Sequence, residues 1–132
     1  MAASDPPRPT DAELEILTVL WSLGQPATVR EVFEVINRRR AAQYSTVLKF
    51  LQIMAEKGLV TRDESQRAHT YEPSRPREWT QRQLAGDLLD RAFSGSAKAL
   101  LLGALSARKA SAKDLAELRR MLDEYGKGGG RR

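Results

Sequence analysis

Cysteine is absent from the 132 residues, and histidine occurs once, as His69. Disulfides, thiolate metal sites and thiol redox switches are therefore excluded, and no histidine cluster can be assembled. No stretch approaches the roughly 18 uncharged apolar residues that a membrane-spanning helix needs, and the opening segment MAASDPPRPT lacks the apolar core of a signal peptide. The expectation is a cytoplasmic protein without membrane insertion. No glycine-rich phosphate loop is present either, because the terminal GKGGGRR precedes no helix. With no nucleophile, metal or cofactor motif, neither an enzyme nor a cofactor is expected.

What is present is charge of both signs, unevenly placed. The formal net charge is +5, but residues 1–74 carry nine Lys or Arg against ten Asp or Glu, whereas residues 75–132 carry thirteen against seven. The overall basicity therefore does not by itself mark a nucleic-acid domain; local clustering has to do so. Asp11, Glu13 and Glu15 fall together early, on what the pattern reads as solvent faces of helices. Arg38, Arg39, Arg40, Lys49, Arg62 and Arg67 flank other elements.

Helical periodicity and capping signals divide the chain. Residues 1–9, rich in proline, read as a disordered arm. TDAELEILTVLWSLG has a capping box between Thr10 and Glu13, an apolar face of Leu14, Leu17, Leu20 and Trp21, and a stop at Gly24. After the turn Gln25-Pro26-Ala27 the box recurs as Thr28 to Glu31, followed by Val29, Val32, Phe33 and Ile36. A third helix runs from Tyr44 or Ser45 to Lys57, stops at Gly58, and turns Val47, Phe50, Leu51 and Met54 inward. LVTRDE and HTYEP then alternate around the polar linker SQRA as a short hairpin. The fold class is mainly α with a small β-hairpin wing: a winged helix-turn-helix domain over residues 10–75.

Residues 76–125 are helical throughout, and 126–132 read as a disordered tail. Leu84, Leu88, Leu89 and Phe93, then Leu100, Leu101 and Leu105, then Leu115, Leu118 and Leu122 present more apolar surface than three short helices can bury on a 65-residue head. These residues are expected to form a C-terminal helical dimerisation domain.

The second helix of a helix-turn-helix enters the major groove with its N-terminal residues toward the base edges. Ser45, Thr46 and Lys49 hold those positions on a face that also carries Gln52. Their hydroxyls and ammonium can meet bases or phosphates, and Tyr44 can stack on sugar or touch a thymine methyl. Thr28, with the free amides of its helix, and Arg30 suit a phosphate, while Arg67 and His69 belong to the wing. Blander readings stand beside these: Thr28 and Ser45 as helix caps, Lys49 and Arg38–Arg40 as solvated charge, His69 as a polar strand residue.

DAELEILTVLWSLGQPATVREV, YSTVLKFLQIMAEKGLV, RAHTYEP, DRAFSGSAKALLLGAL and SAKDLAELRRML, in this order, closely resemble successive blocks of the penicillinase-repressor family, which includes the methicillin-resistance and copper-responsive repressors. The resemblance covers about residues 10–124. It implies a homodimer joined by the C-terminal helices that binds a palindromic double-stranded DNA operator and represses neighbouring genes. It puts Ser45, Thr46 and Lys49 in the recognition helix and Arg67 in the wing. A membrane zinc protease receptor, or the protease downstream of it, becomes a further candidate partner. Three departures matter: the cysteine cluster of the copper-responsive members is missing, Gly103-Ala104 stands at the Asn-Phe junction cleaved in β-lactam-responsive members, and Leu48 and Ile53 replace arginines found in some recognition helices. The competing reading is a winged-helix protein-interaction module without specific DNA binding.

Overall fold

The computed structural model describes residues 5–129, in two compact units, Met1–Gly86 and Asp87–Arg132. In the first unit, α1 (Asp11–Leu23), β1 (Ala27–Thr28), α2 (Val29–Arg39), α3 (Tyr44–Lys57), β2 (Val60–Asp63) and β3 (Thr70–Pro73) follow in order. The helix α4 (Arg77–Ala92) runs from this unit into the second, which continues with α5 (Ala97–Ala107) and α6 (Ala112–Gly129). Among the described residues no helix is long and apolar enough to cross a membrane.

Both capping boxes form. The Glu13 amide donates to Thr10 Oγ1 at 3.2 Å and the Thr10 amide to Glu13 Oε1 at 2.9 Å, satisfying two of the donors that a helix start leaves unpaired. Thr28 and Glu31 repeat the arrangement at α2. The hairpin is a three-stranded antiparallel sheet in the order β1-β3-β2, with Tyr71 of β3 opposite Ala27 on one side and Arg62 on the other. The segment around Ala27 was expected to be only a turn. Two residues are too short to show an alternating pattern, so the strand is defined by its partner.

The core of this unit joins Ile16, Leu17, Val19 and Leu20 to Val32 and Ile36, to Val47, Leu51 and Met54, and to Tyr71. On α1 the buried arc differs from the expected face: Ile16 and Val19 are buried, whereas Leu14 and Trp21 are half-buried. The reason is that α1 packs against α2, α3 and β3 together, so no single stripe suffices. Phe50, expected inward, lies half-buried at the core's edge. Residues 5–9 were expected to be without structure, yet Pro6 and Pro9 are buried. Asp5 pairs with Arg75 at 3.3 Å and the Pro6 carbonyl accepts from Gln83 Nε2 at 3.5 Å; residues 1–4 lie outside the described residues.

Glu13 overturns the expectation that the acidic residues face solvent. It is 1% exposed, and its second oxygen, Oε2, accepts from Lys57 Nζ at 2.8 Å. Burial alone would raise its pKa, but hydrogen bonds from Lys57 and the Thr10 backbone, with the Lys57 charge, outweigh that and lower it. The last turn of α3 is thereby tied to the first turn of α1. Gly58, at φ 83°, closes α3 in the left-handed conformation that costs glycine little.

In the second unit Ser96 Oγ caps α5 through the Ala99 amide at 3.0 Å, and Ser111 Oγ accepts from the Asp114 amide at 3.0 Å. A Cβ built on Gly103 would meet the Phe93 ring at 3.3 Å, so glycine lets that ring lie against α5. Helix α6 continues to Gly129, into the segment expected to be disordered, since propagation adds one hydrogen bond per residue once a helix exists. Residues 130–132 lie outside the described residues. Among the described residues of α5 and α6 none is buried within the chain: Leu102, Met121 and Leu122 are each 56% exposed.

The Glu13 geometry sets a pH signature. A carboxylate whose pKa is lower folded than unfolded adds stability that is complete above about pH 4.3 and lost as pH falls through the folded value. Glu13→Gln should cost about 1–3 kcal/mol at pH 7 and less at pH 3, below the ordinary glutamate value, where part of the carboxylate's contribution has been lost. Urea unfolding midpoints at the two pH values check this; an equal loss at both refutes it.

Candidate nucleic-acid interface

The candidate interface is built on α3, whose N-cap residue, Gln43, makes no side-chain capping bond. Ser45, proposed as a cap, is therefore one turn position inside the helix and exposed. Ser45, Thr46 and Lys49 share one recess with Phe50 and Ile53, of about 550 Å³. The three expected reading residues thus do converge on one face.

A second recess, of about 330 Å³, lies between α3 and the wing and is lined by Tyr44, Leu48, Gln52, Arg62, Arg67 and His69 among others. It brings the expected wing residues Arg67 and His69 to the same cleft as Tyr44. Arg62 and Leu48 were not among the expected site residues. The available signal for Arg62 was strand alternation: it lies two residues after buried Val60 and opposite buried Tyr71, on the side of the strand that faces α3. Its pKa is raised by the Tyr71 side chain and by Glu64, which it meets at 2.6 Å. This arginine is anchored in the wing rather than loose.

Arg30, on the first turn of α2, stands over the Tyr44 ring at 5.3 Å, and Phe33 meets that ring edge-on at 5.9 Å. A guanidinium stacked on an aromatic face keeps its N–H edges free for a phosphate. Thr28 is different. Its hydroxyl accepts the Glu31 amide at 3.2 Å, and the Glu31 carboxylate takes the Thr28 amide at 2.8 Å. Thr28 thus acts as a cap, with the Glu31 carboxylate engaged at the start of α2.

Ion pairs take up part of the charge of both signs on the head. Arg40 is paired with Glu15, Lys57 with Glu13, Arg62 with Glu64 and Arg75 with Asp5. Among the described residues Arg30, Lys49 and Arg67 enter no ion pair. Glu31 and Asp63 accept backbone amides instead, and Arg30, Lys49 and Arg67 lie around α3 and the wing.

Comparison with known proteins supplies the remaining evidence. The family model for the penicillinase repressor matches residues 9–124. The transcriptional regulator BlaI of Mycobacterium tuberculosis is 37% identical over 123 residues, which cover 92% of this chain and 88% of that protein. The penicillinase repressor of Bacillus licheniformis is 24% identical over 119 residues, covering 90% and 92%. Among solved structures, the DNA binding domain of the repressor BlaI matches with a TM-score of 0.50 at 23% identity, over 57% of this chain and 90% of that one, a likeness of fold.

The cap assignment has a direct consequence. Thr28→Ala should destabilise the chain by about 1 kcal/mol, and Thr28→Ser by much less, as read from thermal or urea unfolding. A neutral Thr28→Ala would show that the hydroxyl is not engaged as described.

Proposed function

The chain belongs to the penicillinase repressor family, and from that premise we propose that it is a transcriptional repressor that binds operator DNA as a homodimer in the cytoplasm. The observation that carries the reading is the convergence of Ser45, Thr46 and Lys49 on the outer face of α3 beside the unpaired cations Arg30 and Arg67. Helix α3 enters the major groove. Thr46 and Lys49 reach base edges, where a hydroxyl can donate or accept and an ammonium suits guanine. Arg30, held by Tyr44, and Arg67 and His69 of the wing grip phosphates on either side and fix the register. Arg62 supports the wing from behind through Tyr71 and Glu64.

One lysine and two hydroxyls per helix are too little for strong specific binding, so the reading includes two copies. The exposed leucines of α5 and α6, Leu105, Leu115 and Leu122, are the support for a second copy, with Leu84, Leu88, Leu89, Phe93, Leu100, Leu101 and Leu118, none of them buried within the chain, completing the apolar surface. A two-fold dimer then reads an inverted repeat whose half-sites mirror the symmetry of the protein. Release by proteolysis at Gly103-Ala104 through a membrane zinc protease receptor or its downstream protease is a further possibility for the family; the glycine here instead accommodates the Phe93 ring, which argues for another route of induction.

Three expected outcomes test the reading. Thr46→Ala with Lys49→Ala should abolish specific binding to promoter fragments while leaving the dimer intact; unchanged affinity sinks the reading surface. Because each neutralised phosphate adds about −0.9 to the slope of log K against log salt, Arg67→Ala should flatten the slope of the dimer by about 2, measured by fluorescence anisotropy. Leu115→Glu with Leu122→Glu should give a monomer in sedimentation analysis, and a persistent dimer refutes the interface. Failure of the wild type to bind any fragment of the adjoining promoter would favour the protein-interaction reading, whose support is the net charge of −1 over residues 1–74.

A further inference from the structure

The recess of about 550 Å³ on the outer side of α3 is lined by Ser45, Thr46, Lys49, Phe50 and Ile53. Counted from Ser45 these positions are i, i+1, i+4, i+5 and i+8, one face of a helix. The first three carry hydroxyls and an ammonium. The last two are apolar, and hydrogen bonding to bases or phosphates gives them no part.

Phe50 is partly accounted for by the fold, since it packs against the core together with Leu48 and Ala55. Ile53 is not. It is half-buried, and among the described residues it belongs neither to the core cluster nor to the side chains packed on it. Its apolar surface lines the recess instead, one helical turn beyond Lys49.

The surroundings restrict what can cover that surface. No acidic residue lines the recess, and among the described residues Lys49 enters no ion pair. A polyanion therefore meets a cation at the wall and no like charge. One isoleucine and part of one phenylalanine fall far short of the roughly 800 Å² per partner that a stable protein–protein interface buries. A single methyl group is of the right size. Among the base-edge groups that B-DNA presents in its major groove, the C5-methyl of thymine is the apolar one. Lys49 and Ile53 stand about 6 Å apart along the helix axis, and base pairs rise by about 3.4 Å, so the two side chains address base pairs within about two steps of each other.

We propose that Ile53, backed by Phe50, seats the C5-methyl of a thymine close to the base that Lys49 contacts, and so selects thymine at that position of each half-site. The inference rests on the DNA-binding reading above and adds Ile53 to its specificity-determining residues. Withdrawing one methyl from an apolar seat weakens binding about fourfold, and the two half-sites of a dimer together about 15-fold.

The test is fluorescence anisotropy with the full chain and the adjoining promoter fragment that it binds most tightly, prepared once with thymine and once with uracil, which lacks only the methyl. The uracil fragment should bind about 15-fold more weakly, and single replacements should trace the loss to one symmetry-related pair of thymines. Putting 5-methylcytosine there should bind more tightly than putting cytosine there. Ile53→Ala, with the circular dichroism of the wild type, should bind the thymine and uracil fragments alike. Equal affinity of the wild type for the two fragments overturns the seat, and so does an undiminished preference in Ile53→Ala, which would trace it to DNA shape or to another side chain. Should Ile53→Ala not fold, Ile53→Val must show a reduced preference, and a full one overturns the seat. Binding of neither fragment refutes the DNA-binding reading and the seat with it, whereas equal binding of both refutes the seat alone.

Discussion

One buried carboxylate organises the helical head. Glu13 uses one oxygen to cap the first turn of α1 and the other to hold Lys57 in the last turn of α3. A carboxylate so enclosed is tolerated only when its lone pairs are matched, and here both oxygens are. The pairing fastens the end of α3, the helix with Ser45, Thr46 and Lys49 on its outer face, to the start of α1. The apolar contacts of Leu51 and Met54 supply most of the adhesion, but they are non-directional, and the ion pair adds direction.

The wing is positioned by a comparable economy. Thr28 ends the two-residue strand β1 and caps α2, so the edge of the sheet and the start of the helix share one residue. Tyr71 of β3, 2% exposed, lies between Ala27 and Arg62 across the sheet. The side chain that fills the core thus also backs the arginine that stiffens the wing. Four acids of the head, Asp5, Glu13, Glu15 and Glu64, are held in ion pairs, whereas Arg30, Lys49 and Arg67 around α3 and the wing enter none.

Much of this was legible in the chain. Capping boxes at Thr10 and Thr28, glycine stops at Gly24 and Gly58 and the alternation of VTRD and TYEP are local signals, and local chemistry produced the elements they announce. The convergence of Ser45, Thr46 and Lys49 followed from helical spacing alone. What was missed depends on partners far along the chain. Strand β1 exists because β3 pairs with it. Glu13 is buried because Lys57, 44 residues away, meets it, and Pro6 and Pro9 are buried although their composition reads as a free arm. Thr28, read both as a cap and as a phosphate contact, is engaged as a cap with Glu31.

By itself, then, the sequence determined the order and kind of the elements, the family, and which residues of α3 point outward, because these depend on periodicity, caps and block order within short windows. Only the tertiary structure decided which charges stay available. Whether an arginine is a phosphate contact, a wing anchor or half of an internal ion pair depends on the acid that folding brings within about 3 Å of it, and that distance is set by packing between segments rather than by any spacing along the chain.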